Sequence, residues 1–141
     1  MESTEIDEPV LYSLRGAPKA WGRIVGIERL SDDSVALKFF DASGELLAEA
    51  ASDFSFFKAF LEMRIALEQK DIAIYCRGCE VDVYPSPMQE SMGAPLLAYK
   101  NYLGRQALSC DIVKIFECDE SIVPATVAEQ KSFHGRWLES L

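Results

Sequence analysis

One histidine, His134, serves the whole 141-residue chain. That scarcity rules out metal sites built from several imidazoles and leaves general-base chemistry to one ring or a carboxylate. No run approaches the roughly 18 apolar residues of a membrane span. The phosphate-cradling patterns GxxxxGKS/T and GxGxxG are missing, and no GxSxG elbow surrounds Ser86 or Ser91. Bases are scarce too: 14 Lys and Arg face 23 Asp and Glu. The net charge of −9 divides as −5 over residues 1–70 and −4 over 71–141, so it is not confined to a tail. Such a surface repels nucleic-acid phosphates and anionic membranes, and it steers basic proteins toward itself. The first eight residues hold four acids and no base, unlike the n-region of a secretory signal. The expectation is a cytoplasmic chain whose Cys76, Cys79, Cys110 and Cys118 are reduced thiols.

What the chain does contain is core material. Hydrophobic residues make up 49% and aromatics 11%, a globular composition. The length suits one domain over 1–141, with residues 1–9 read as a flexible acidic tail. Apolar runs at Ile24–Ile27, Val35–Phe40 and Leu46–Ala50 are separated by turn residues at Ser31–Asp33 and Asp41–Gly44, which predicts a three-strand antiparallel meander. Ser52 or Asp53 then caps a helix to about Gln69, with Phe54, Phe57, Leu61 and Ile65 at helical spacing. Two alternating runs, Ile72–Cys76 and Cys79–Tyr84, flank Arg77-Gly78 and predict a hairpin. Ser86-Pro87-Met88-Gln89 is a capping box that starts a short helix ending at Gly93. Ala94-Pro95 opens another, with Leu96, Tyr99 and Leu103 on one face and Gly104 at its end. A last strand is expected over Asp111–Phe116. Thr126-Val127-Ala128-Glu129 is a second capping box, launching a terminal helix with Phe133, Trp137, Leu138 and Leu141 as its buried stripe. Gly135 within that helix implies close packing or an early end. The fold class is α+β: an antiparallel sheet of about five to six strands, one long helix after the third strand, short helices in the middle and a C-terminal helix packed on it.

Candidate sites are few. Cys76-Arg77-Gly78-Cys79 has the form of a zinc half-site, but Cys110 and Cys118 are separated by seven residues rather than two, so structural thiols are expected over zinc or a redox pair. Redox thiols of the CxxC kind sit at a helix N-terminus, whereas this motif reads as lying between strands. Glu80 and Asp82, alternating on a strand, would hold carboxylates about 7 Å apart, a hydrolase separation that any solvated strand face also offers. His134 reads as a packed or capping side chain. The segment from Tyr84 to Pro95 combines three prolines, two methionines and two serines, and rigid connections of this kind often carry binding residues. Tyr84, Ser86, Met88, Gln89, Met92 and Tyr99 are its candidates, joined by the acidic cluster Glu117, Asp119 and Glu120. No cofactor or catalytic set is expected. The composite expectation is a non-enzymatic acidic domain that binds a basic protein, in the manner of an immunity or inhibitor protein neutralising a toxin. The alternative is a small enzyme or ligand-binding domain that uses the 84–93 loop with His134.

Overall fold

The computed structural model describes residues 2–53, 55–91 and 96–141. Its first element corrects the expectation of a flexible tail. Glu2–Leu14 forms strand β1, in which Ile6, Val10 and Leu11 are buried between exposed acids. Ile6 and Val10, an even number of residues apart, share the core face, while Leu11 alternates to the other; a register shift lies earlier, between Thr4 and Ile6. The acids misled because their partners are distant in sequence: Asp7 pairs with Arg23 and Glu2 with Arg29 on the next strand.

β2 (Ala20–Arg29), β3 (Ser34–Phe40) and β4 (Leu46–Ser52) form the expected meander. With β5 (Ile72–Ile74) they make a five-stranded sheet of order β4-β3-β2-β1-β5, antiparallel at every pairing. Helix α1 (Phe56–Glu68) therefore follows the fourth strand, capped by Ser55, whose hydroxyl accepts from the Lys58 N–H at 3.1 Å. Phe54 lies outside the described residues. Phe57, Phe60, Met63 and Leu67 of α1 pack with Ile24, Leu37 and Phe39 of the sheet to form the core. Ile65, expected on the same face, is 42% exposed.

The Arg77-Gly78 hairpin does not form. Cys76 leads into a 3-10 turn over Arg77–Cys79, and the chain leaves the first sheet for a second, three-stranded one. A two-residue hairpin of this kind needs positive φ at its centre, and Gly78 does not adopt it. Gly78 is needed for closeness instead: a Cβ there would meet Cγ2 of Ile115 at 2.5 Å. The second sheet is β6 (Val83–Tyr84), β7 (Leu97–Lys100) and β8 (Ile112–Lys114), in that order. The helix expected from Ala94-Pro95 is thus a strand from Leu97, and its opening residues lie outside the described ones. Pairing of Tyr99 with both Tyr84 and Ile112 outweighs its helical spacing with Leu96 and Leu103.

Both capping boxes form. The Ser86 hydroxyl accepts from the Gln89 N–H at 3.1 Å, while Gln89 Oε1 accepts from the Ser86 N–H at 2.9 Å, starting α2 (Pro87–Ser91). Its expected end at Gly93 lies outside the described residues. Thr126 and Glu129 do the same for α3 (Val127–Glu139). α3 docks by its N-terminal half, where Val127 and Gln130 are buried. The expected buried stripe is open instead: Phe133 and Trp137 are half-buried, and Leu138 and Leu141 are exposed. Gly135 has open space around it and the helix runs past it.

Candidate functional site

Three segments converge on one cleft. β6 ends at Tyr84, whose ring is held edge-on against Phe57 of α1, with centroids 5.1 Å apart. Pro85 and Pro87 fix the chain direction into α2. Asn101 follows β7 and is tied back by its N–H to the Asp82 carbonyl at 2.7 Å. From α3, His134, Trp137 and Leu138 project at i, i+3 and i+4, and therefore on one face. Two hydrogen bonds hold the 101–107 segment to the end of this helix. Trp137 Nε1 donates to the Arg105 carbonyl at 3.0 Å, and the Gly104 N–H donates to Ser140 Oγ at 2.8 Å.

The cleft between these segments has a volume of about 410 Å³, lined by Tyr84, Ser86, Tyr99, Asn101, His134 and Trp137 among others. That is within the range of small-molecule sites, roughly 300–1,000 Å³. One wall is a continuous aromatic stack. The His134 ring lies 4.0 Å from Tyr84 at 16°, and 5.7 Å from Trp137 at 24°. Burial disfavours the imidazolium and holds the His134 pKa below its ordinary value. The Tyr84 hydroxyl moves the other way, raised by burial and then by the nearby Glu90 carboxylate. Two polar atoms here are buried without a hydrogen-bond partner among the described residues: Asn101 Oδ1 and His134 Nδ1. Asn101 is only 3% exposed. A buried amide oxygen without a donor costs about 1–3 kcal/mol.

The structure brings three of the sequence-predicted residues, Tyr84, Ser86 and Tyr99, to this cleft together with His134. The Ser86 hydroxyl and the Gln89 side chain serve the helix cap. Met88 stands out from α2 at 75% exposure, and Met92 lies outside the described residues. The acidic cluster is elsewhere and partly engaged. Glu117 pairs with Arg77 at 3.1 Å, Asp119 accepts from the Ser121 N–H and hydroxyl, and the Glu120 carbonyl accepts from Lys19. These bonds from Ser121 lower the Asp119 pKa. A separate groove of about 280 Å³ gathers Glu5, Glu8 and Glu117 around Lys114.

Glu80 and Asp82 are not alternating strand residues, since β6 begins after them. Both lie against the Lys100 ammonium, at 3.9 and 3.3 Å. Cys76 and Cys79 are buried and Cys110 is exposed, and among the described residues no group of three or more His, Cys, Asp or Glu is placed to hold a metal ion. No helix among them is long and apolar enough to cross a membrane. Sequence reasoning missed Asn101 and misassigned Trp137 to a buried stripe. The sequence matches no protein-family model, and no curated protein is found to be similar to it.

Proposed function

We propose that this chain is a binding domain whose receptor site is the cleft between Tyr84–Pro87, the segment after β7 and α3. Its ligand is a flat, largely apolar small molecule that presents an N–H donor. The unpartnered Oδ1 of the buried Asn101 carries this reading, because it is a fixed acceptor inside an aromatic and apolar wall. Neutral His134, stacked between Tyr84 and Trp137, supports recognition of a planar face. The Ser86 hydroxyl, engaged as a helix cap, favours binding over nucleophilic chemistry. Ligand-observed NMR with benzamide and methyl benzoate tests it. Benzamide should bind with Kd of about 1 mM, more tightly than the ester, which has no N–H. Asn101→Leu should erase the difference. Equal affinity of the two, or no binding of either, refutes the assignment.

A second reading is favoured by the groove at Glu5, Glu8 and Glu117. There the chain would dock a basic protein, neutralising it as an immunity or inhibitor protein does, with negative charge raising the association rate. A basic protein captured from the native cell should then dissociate faster as salt is raised, and should bind Glu5→Gln/Glu8→Gln more slowly. A captured partner insensitive to both refutes it.

A further inference from the structure

Three of the four cysteines meet where the two sheets join. Cys76 Sγ and Cys79 Sγ are 3.6 Å apart, and Cys118 is the antiparallel bridge partner of Cys76. The 3-10 turn sets the closeness of the first pair, with the Cys79 N–H donating to the Cys76 carbonyl at 3.0 Å. Gly78, pressed against Ile115, allows that turn to lie flat on the second sheet. The two thiols differ in access. Cys79 is 2% exposed, yet it lines a cavity of about 110 Å³ shared with Arg64, Leu67, Ile74 and Ala125. Cys76 is wholly buried behind it. A water molecule takes up about 30 Å³ of liquid, so a molecule as small as hydrogen peroxide fits the cavity.

We propose that Cys79 and Cys76 form a peroxide-sensitive dithiol, with Cys79 as the attacking sulfur and Cys76 as the resolving one. This holds whether or not the aromatic cleft takes a ligand. In the first step the Cys79 thiolate attacks one peroxide oxygen. An S–O bond forms, the O–O bond breaks, sulfur loses two electrons to the peroxide, and the departing hydroxide takes the proton the thiol gave up. In the second step the Cys76 sulfur attacks Cys79. The S–S bond forms, the S–O bond breaks, and hydroxide leaves as water with the Cys76 proton. Two thiols and one peroxide thus give one disulfide and two waters. The sulfurs must close from 3.6 Å to about 2.05 Å, within reach of side-chain rotation in a turn.

The electrostatics fit these roles. Burial opposes ionisation of Cys79, but the hydrogen bond with the Cys76 thiol and the Arg64 guanidinium together bring its pKa below the ordinary thiol value. Cys76 is pushed well above it, by burial first and then by its bond with Cys79. One sulfur is therefore prepared to attack while the other stays a thiol until it resolves the intermediate.

Trypsin cleaves after Lys70, Arg77, Lys100, Lys114 and Lys131, which places Cys76, Cys79 and Cys118 on three different fragments. Folded wild-type protein, treated with hydrogen peroxide, alkylated and digested, should yield fragment 71–77 joined to 78–100, and dithiothreitol should separate them. In Cys76→Ser, dimedone should label fragment 78–100 as the trapped sulfenic acid. Linkage of 71–77 to 115–131 instead, four alkylated thiols after peroxide, or oxidation of exposed Cys110 alone would overturn the proposal. So would a folded Cys76→Ser protein that takes no label. Should that variant fail to fold, the linkage in the wild type decides.

Discussion

Arg64 and Gln130 meet in the interior at 2.6 Å, the guanidinium of α1 donating to the side-chain oxygen of α3. Gln130 Nε2 in turn lies within hydrogen-bond distance of the Gly78, Glu80 and Val83 carbonyls, and Arg64 Nη2 donates to the Ala125 carbonyl. The pair thus ties both longer helices to the irregular crossing between the sheets. Gln130→Leu keeps the volume but leaves those carbonyls and a buried guanidinium short of partners. The expected loss is about 3 kcal/mol, read as a lower urea midpoint. Thr126→Ala, which removes only the cap of the same helix, should lose about 1 kcal/mol.

Two glycines should respond to alanine with opposite signs. At Gly78 the new methyl collides with Ile115, and destabilisation of about 1–3 kcal/mol is expected. At Gly135 nothing lies within 4 Å and the backbone is helical, so alanine should stabilise by about 0.5–1 kcal/mol. Thermal melts of the two variants check the pair, and a stabilised Gly78→Ala would contradict the packing.

Asn101 predicts a trade between stability and recognition. Asn101→Leu removes a buried amide oxygen that has no donor, so the folded state should be unchanged or steadier. A loss above about 2 kcal/mol would mean that Asn101 serves the fold itself.

His134 gives a pH dependence of definite sign. Burial lowers its pKa from 6.5, so the unfolded chain takes up the proton more readily than the folded one. Stability contributed by the neutral ring is complete above 6.5 and is lost as pH falls through the window below it. His134→Phe keeps a ring against Tyr84 but has no proton to bind. Between about pH 7 and pH 5, its urea midpoint should fall less than that of the wild type.

The helices were legible in the sequence because their signals are local. Ser86 with Gln89, and Thr126 with Glu129, satisfy each other within one turn, whatever the rest of the chain does. The meander was legible for the same reason, through its turns. Arg77-Gly78 was not, since the same two residues fit a hairpin or a 3-10 crossing, and the packing of Gly78 against Ile115, far along the chain, leaves no local signal. β1 was hidden because its acids stay exposed within the strand, and two of them, Glu2 and Asp7, pair with Arg29 and Arg23 of the next strand. In the cleft, Tyr84 and Ser86 stood out by composition, but nothing local marks Asn101. It is buried by contacts from Asp82 and from the fold of the second sheet.

Among the described residues, the long first strand has one flank on which most of its length pairs with no strand. β5 pairs with it only over Tyr12–Leu14, while residues 2–10 bond to β2 on the opposite side. An open flank of that length is a template on which another copy can add a strand and begin a fibril. Pro9 offers no N–H there, and the carboxylates of Glu5, Asp7 and Glu8 would face the same charges on an incoming copy. Three of the 23 acids thus stand along this margin, where a second copy would bring like charge against them.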